Sequence, residues 1–368
     1  MVLPSFLGGR VRRRRLLFEG PSGSFRQRGL PTSGGLAARA PSESACLRGP
    51  SRLPNFRDMP EASTPPATRA GYVALAGRPN AGKSTLMNRL VGEHLSIVTP
   101  RAQTTWQRVT GILTTKGCQL VFLDTPGLLQ TRDLLQRAML GAALEALHEA
   151  DVVVVVVDAT RYPDNLDKER LLTSLEGISA PIHVALNKVD RAPADIVQSW
   201  QRWVEKRTWD ATIHRISALE GHGTEGLLAA VSEDLPPGPF LYPEDDIATG
   251  PVRFFAAELV RETVFEQYMA EIPYSTFCVV EEFREDQDPV YIKMRVFVER
   301  TSQKAIILGS GGRAIRALGE VSRTKIEHLL GRRVYLDLWI KPLKSWRKDR
   351  VRLAEMGFRV PEDEDARS

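Results

Sequence analysis

Short apolar runs separated by amphipathic stretches set the rhythm of the first half of the chain. Tyr72-Val73-Ala74-Leu75-Ala76, Gln119-Leu120-Val121-Phe122-Leu123, the β-branched run from Asp151 to Val157, Ile182-His183-Val184-Ala185-Leu186 and the shorter Ile213-His214-Arg215-Ile216 read as strands. Runs with so little polar alternation suit strands buried on both faces, and the helical stretches between them imply βα units around a parallel sheet. The ligand site of such a sheet lies at the carboxyl ends of its strands.

Pro236-Pro237-Gly238-Pro239 breaks this rhythm. Beyond it, Val252 to Met269 is helix-like, and Thr276 to Phe283 and Val290 to Val298 read as strands. In the second of these, Val290, Ile292, Met294, Val296 and Val298 fall on one face, with Lys293, Arg295 and Glu299 opposite. A helix from Gln303 to Leu308, a glycine turn, a longer helix to about Leu330 and a strand from Val334 to Ile340 complete an α-β-β-α-α-β order. The fold expected is a P-loop α/β domain over residues 71–239 followed by an α+β domain over residues 240–345. Residues 346–368 are expected to be a charged tail, a terminal helix followed by a disordered end.

Length and composition agree with two modest domains: 368 residues, 42% hydrophobic and 26% charged. No apolar run approaches the roughly 18–20 residues a membrane span requires. Cys46, Cys118 and Cys278 stand far apart without metal-ligand spacing, which points to neither a disulfide framework nor a zinc site, and to a reducing compartment. The net charge of +5 suits a polyanionic partner, but much of the excess sits in the leader. Residues 1–70 begin with an Arg-, Gly-, Ser- and Pro-rich stretch to Asp58 that holds Arg12-Arg13-Arg14-Arg15 and lacks apolar periodicity, so it is not expected to fold. Three readings stand: an organellar transit peptide, a basic nucleic-acid arm, or a start assigned upstream of a true start at Met59.

The chemistry begins after the first strand. Gly77-Arg78-Pro79-Asn80-Ala81-Gly82-Lys83-Ser84, with Thr85 continuing into a helical pattern, is G-x-x-x-x-G-K-S in its required strand–loop–helix context. The glycines let backbone N–H groups surround phosphates, Lys83 reaches the outer phosphates, and the Ser84 hydroxyl faces Mg²⁺. Asp124-Thr125-Pro126-Gly127 closes another strand, offering a carboxylate for the Mg²⁺ shell and a Gly127 amide to sense a γ-phosphate. Asn187-Lys188-Val189-Asp190 discriminates the base: a carboxylate at Asp190 accepts two hydrogen bonds from guanine N1–H and its amine, a donor pair that adenine lacks. Ser217-Ala218-Leu219 would add a backbone amide for the base oxygen. Leu128 follows Gly127 where many GTPases carry a water-orienting glutamine, so slow intrinsic hydrolysis is expected. Between these motifs the polar Thr99-Pro100-Arg101-Ala102-Gln103-Thr104-Thr105 reads as a mobile loop whose Thr105 closes onto the metal. Lys83, Thr105 and Gly127 are thus the expected catalytic groups, and Ser84, Thr105 and Asp124 the metal set.

These motifs, with Ala102-Gln103-Thr104-Thr105, resemble the Era family of GTPases from about Tyr72 to Phe358. Trp106 stands where that family usually has arginine. The glycine turn, Gly309-Ser310-Gly311-Gly312 between two helices, looks like that of a prokaryotic-type KH domain, whose glycines let a nucleic-acid backbone lie close. Arg313, Arg316, Arg323 and Lys325 would contact phosphates, while Ser310 replaces a lysine common in the family. Ile272-Pro273-Tyr274-Ser275 and Trp339-Ile340-Lys341 share the likeness.

The resemblance implies a GTP-hydrolysing ribosome-assembly factor that binds small-subunit rRNA near its 3′ end and assists 30S maturation. It further implies a potassium ion held by Asn80, peripheral membrane contact, a monomeric state, and bacterial cytoplasm. With a transit peptide the location would be a mitochondrion or chloroplast. The rival reading is a GTP-gated RNA-binding module whose hydrolysis is incidental; an ATP-driven remodeller is disfavoured by Asn187-Lys188-Val189-Asp190.

Overall fold

The computed structural model describes residues 68–361 apart from 129, 130, 132, 163, 208 and 209, and these residues fall in one compact unit. The basic leader, Met59 and the acidic end beyond Pro361 lie outside the described residues.

The first module is a six-stranded sheet in the order β2-β3-β1-β4-β5-β6. Its strands are β1 (Arg69–Ala76), β2 (Val109–Thr115), β3 (Cys118–Asp124), β4 (Val152–Asp158), β5 (Ile182–Asn187) and β6 (Ala211–Arg215). All neighbours pair in parallel except the β2–β3 hairpin. The six valines of β4 are all buried, because α2 (Leu134–Glu149), α3 (Asn165–Leu175) and α4 (Ala194–Glu205) cover one face of the sheet while α1 (Lys83–Val91) and α5 (Thr224–Asp234) cover the other. Two apolar layers result, one built on Val73, Leu75, Leu86 and Phe122, the other on Ala74, Val153, Val155 and Leu186.

The second module is a three-stranded sheet, β7 (Phe277–Arg284), β8 (Val290–Val298) and β9 (Val334–Pro342), antiparallel between β7 and β8 and parallel between β8 and β9. Helices α6 (Val252–Gln267), α8 (Thr301–Leu308) and α9 (Arg313–Leu330) cover one face, and the short α7 (Ile272–Ser275) precedes β7. Val290, Ile292, Met294, Val296 and Val298 are buried as their alternation predicted.

Two boundaries differ from the sequence reading. The segment after Pro239 still belongs to the first sheet: the Gln119 side chain bonds the backbone of Leu241 and Tyr242, and the Ile112 amide donates to the Ile247 carbonyl at 2.8 Å. Ile247 and Ala248 enter the first core, as do Val252 and Phe255 beyond them, so the first module continues past Phe240. The charged tail contains the terminal helix that was expected, but its segment also packs into the core. After Pro342 the chain makes a turn at Trp346–Lys348 and α10 (Arg350–Glu355), and Trp346, Leu353 and Phe358 are buried. Three large apolar side chains outweigh the charged residues around them, because the hydrophobic term scales with area removed from water. Among the described residues no helix is long and apolar enough to cross a membrane, and no cluster of three or more His, Cys, Asp or Glu side chains could hold a metal.

Candidate functional site

The carboxyl ends of β3, β4 and β5 are Asp124, Asp158 and Asn187, and they open on one cleft of 1290 Å³ at the top of the sheet. The cleft is lined by Arg78, Pro79, Asn80, Gly82, Lys83, Ser84, Thr85, Thr105, Gly127, Leu128, Asn187, Lys188, Asp190, Ser217 and Ala218, so motifs more than 100 positions apart meet there. Gly77, Ala81, Asp124, Thr125, Pro126 and Val189 stand behind this lining.

The phosphate loop is shaped by two unavoidable glycines. A Cβ on Gly77 would lie 2.2 Å from the Val156 carbonyl oxygen, and one on Gly82 would lie 2.2 Å from Asn187 Nδ2; both positions have positive φ. Gly127 is similarly pressed on Pro79, and the Leu128 amide donates to the Gly77 carbonyl at 3.0 Å, lacing the Asp124–Gly127 turn to the phosphate loop. Lys83 is buried, and its Nζ donates to the carbonyls of Gly77 (3.3 Å) and Arg78 (3.1 Å). Burial pulls its pKa down to about 8, against the opposing attraction of Asp124. An ammonium so poorly solvated gains strongly from an anionic ligand.

Asp124 is fully buried. Its Oδ2 accepts from Ser84 Oγ at 2.7 Å and Thr105 Oγ1 at 3.3 Å, the two hydroxyls are 3.1 Å apart, and Oδ1 has no hydrogen-bond partner. Burial pushes this carboxyl up, opposed by the Lys83 charge and by the hydroxyls of Ser84, Ser96 and Thr105. A buried carboxylate with an unspent oxygen beside two converging hydroxyls is a donor set that fits a hard divalent cation.

At the base end, Asn187 braces rather than reads. Its Nδ2 donates to the Ala81 carbonyl at 2.8 Å and its Oδ1 accepts from the Ala218 amide at 2.9 Å, tying the phosphate loop to the Ser217 loop. The Ala218 amide is therefore already engaged. Lys188, held at positive φ, bonds the Asn80 carbonyl at 2.7 Å and the Asp158 carboxylate at 2.6 Å. Burial raises the Asp158 pKa, but hydrogen bonds from Lys188 and Thr160 outweigh it and the net shift is downward. Asp158 is a site residue that the sequence reading passed over as a strand end. Asp190 is exposed at the cleft rim, open to a base. Thr125 turns away and donates to the Leu75 carbonyl at 2.9 Å, so it supports the loop and not the ligand. The Leu128 side chain packs into the apolar layer with Ala143 and Val157, which leaves that position no polar group for a water.

In the second module, Gly309 (φ 67°), Gly311 (φ 61°) and Gly312 (φ 75°) turn the chain between α8 and α9. A Cβ on Gly309 would lie 2.6 Å from that of Ala314, whereas Gly311 and Gly312 face open space. Ser310, Arg313, Arg316 and Arg323 surround or follow this turn, with Arg313 Nε folded back on the Ser310 carbonyl at 3.3 Å. Lys325 departs from expectation. Its Nζ is 2.9 Å from Glu262 and 2.8 Å from Glu266 on α6, so two carboxylates occupy it in place of a phosphate.

Residues 72–188 match a family model described as a 50S ribosome-binding GTPase, and residues 271–347 match one described as a KH domain. Over 292 residues the chain is 39% identical to the GTPase Era of Carboxydothermus hydrogenoformans, covering 79% of this chain and 98% of that protein. The GTPase Era of Geobacter metallireducens is 39% identical over 292 residues, with 79% and 98% covered. A crystal structure of an Aquifex aeolicus Era variant bound to GDP·AlF4⁻ superposes with a TM-score of 0.75 at 36% identity, covering 79% of this chain and 99% of that one. An Era structure in complex with MgGDPNP and nucleotides 1506–1542 of 16S ribosomal RNA gives 0.75 at 35% identity, with the same coverage.

Proposed function

The chain belongs to the Era family of GTPases, and from that premise we propose that it couples GTP hydrolysis to binding of small-subunit rRNA near its 3′ end, in the service of small-subunit maturation. The observation that carries the reading is the joining of a guanine-nucleotide cleft and a KH glycine turn in one chain, together with a relative crystallised on 16S rRNA.

The chain's own groups divide the work. Backbone N–H groups of the loop from Gly77 to Gly82 and the N-terminus of α1 receive the phosphates, and the buried Lys83 ammonium exchanges the carbonyls of Gly77 and Arg78 for outer phosphate oxygens. Gly127, held against Pro79, presents its amide to the γ-phosphate. Ser84, Thr105 and Asp124 would hold Mg²⁺, which when bound neutralises charge on the transferred phosphoryl group. Asp190 reads the guanine edge, and Asn187 with Lys188 fixes the loop that carries it.

No side chain at Leu128 orients a water, so charge supplied near the γ-phosphate must make up the deficit. Asn80 spends its Nδ2 on the Pro100 carbonyl at 2.9 Å, which joins the phosphate loop to the mobile loop. A potassium ion at Asn80 would supply the missing charge. Hydrolysis is then faster in potassium than in sodium at equal ionic strength, and equal rates would remove the potassium reading.

The test of RNA recognition is a mobility shift of the full chain, loaded with a GTP analogue, on single-stranded RNA matching the 3′ end of small-subunit rRNA. Arg313→Glu weakens the complex at fixed salt while leaving guanine-nucleotide affinity in place. Retention of RNA affinity by Arg313→Glu would remove the glycine-turn assignment. The buried Leu128 also supports a second reading, a GTP-gated binding module; RNA capture that follows GTP with no RNA-stimulated turnover would favour it.

A further inference from the structure

Thr105, the one metal-set hydroxyl that comes from a loop, is held from outside its own module. The residues on either side of it are gripped by a single buried cation. Arg261 of α6 is 1% exposed; its Nη2 donates to the Thr104 carbonyl, and its guanidinium lies 4.7 Å above the Trp106 ring. Glu258 fixes the same guanidinium through Nε at 2.8 Å. Arg261 Nη1 is buried with no hydrogen-bond partner, so the aromatic face is what it has in place of an acceptor.

Trp106 is itself locked. It is 4% exposed, stacks nearly parallel on Phe277 with centroids 6.3 Å apart, and leans on Trp346 at 5.8 Å. Its Nε1 donates to the Gln103 carbonyl at 2.9 Å, closing a tight turn in which Gln103 has φ 62°. Gln107 reaches the Met356 carbonyl at 2.9 Å, and Trp346 donates to the Ser275 carbonyl at 3.2 Å. The loop from Thr99 to Thr105 has no regular secondary structure, so these contacts from the second module and its terminal segment take the place of one.

We propose that Arg261 is a positioning residue for GTP hydrolysis: by clamping Thr104 and Trp106 it sets the Thr105 hydroxyl beside Ser84 and Asp124. The inference rests on the GTPase reading. Withdrawing Thr105 would pull Trp106 from its stack on Phe277 and Trp346 and leave the buried guanidinium only the more distant Phe265 ring, 5.7 Å away. The metal-binding form of the loop therefore depends on the second module being docked, and a change at the second module is felt at Thr105 without any contact to nucleotide.

The experiment measures GDP and non-hydrolysable GTP-analogue affinities, with magnesium, for the full-length wild type, Arg261→Met and Arg261→Lys, together with kcat and KM. Wild-type binding of guanine nucleotides tests the underlying reading separately. In Arg261→Met the analogue-to-GDP preference and kcat both fall about tenfold, as expected for a typical coupling between sites, while GDP affinity stays within about twofold; Arg261→Lys is intermediate. Equal losses for both nucleotides would show a merely structural role, and unchanged preference and kcat would also overturn the proposal. Should Arg261→Met fail to fold, tryptophan emission decides. Exchange of GDP for the analogue shifts wild-type emission, and Trp106→Phe abolishes most of that shift; a shift that survives in Trp106→Phe places the moving tryptophan elsewhere and overturns the clamp.

Discussion

At the scale of single residues, the nucleotide cleft was legible because its motifs demand particular chemistry at particular spacings. Gly77, Gly82, Lys83, Asp124 and Asp190 could be placed from type and order alone; Gly82, Lys83 and Asp190 line one cleft, and Gly77 and Asp124 stand behind that lining. The braces were not legible. Asp158 holds Lys188, Asn187 takes the Ala218 amide, and Glu262 occupies Lys325, and each partnership joins residues that no local pattern relates. Asp190 carries the sharpest prediction at this scale. Asp190→Asn removes the charge and replaces one accepting oxygen with an amide donor that faces a guanine donor, so GTP affinity falls by about 1.5–3 kcal/mol per charge-assisted bond lost, and xanthosine triphosphate becomes the preferred ligand. Competitive binding of the two nucleotides checks it; unchanged preference would contradict the pocket. Gly309 carries another. Gly309→Ala forces a Cβ against Ala314 at a positive φ, so RNA affinity falls while GTP affinity does not, as parallel binding measurements on one preparation will show.

At the scale of elements, the strands announced themselves by composition, β4 most clearly and β8 by strict alternation. The hairpin strand β2 did not, since Val109–Thr115 mixes threonines and a glycine and is buried by what covers it: β3, the segment at Ile247, and Met87, Val91 and Leu95 at and just beyond α1. The terminal helix was expected, but the burial of its segment after Pro342 was hidden for the same reason: Trp346 and Phe358 gain their meaning from Phe277 and Trp106, far away in sequence. The β5–β6 pair holds a titratable cluster remote from the cleft. His183 Nδ1 lies 3.1 Å from His214 Nε2, and His183 Nε2 lies 2.9 Å from Asp234. Burial lowers the His183 pKa against the pull of Asp234; burial and the His183 charge lower that of His214. Both rings bind protons less readily folded than unfolded. Their contribution to stability is therefore complete above the unfolded value of about 6.5 and is lost as pH falls toward the folded values. Thermal melts between pH 7 and pH 5 should show a steeper loss in wild type than in His214→Gln, and parallel pH profiles would contradict the assignment.

At the scale of the whole molecule, two modules were readable from the break at Pro236-Pro237-Gly238-Pro239, but their dependence on each other was not. The loop that carries Thr105 leans on α6 through Arg261, on the terminal segment through Gln107, and on Tyr268 through Arg101. Asp133, which caps α2 by accepting from the Gln136 amide at 2.9 Å, is also paired with Arg347 just beyond the KH strands. The Thr105 loop and the start of α2 thus both rest on the module that carries the glycine turn, and linkage makes any such coupling reciprocal for binding. The most direct test is steady-state GTP hydrolysis by the full chain, at fixed salt, with and without single-stranded RNA from the 3′ end of small-subunit rRNA. A coupled GTPase turns over faster with the RNA than without it; a rate that does not respond to RNA at saturating RNA concentrations would contradict the account.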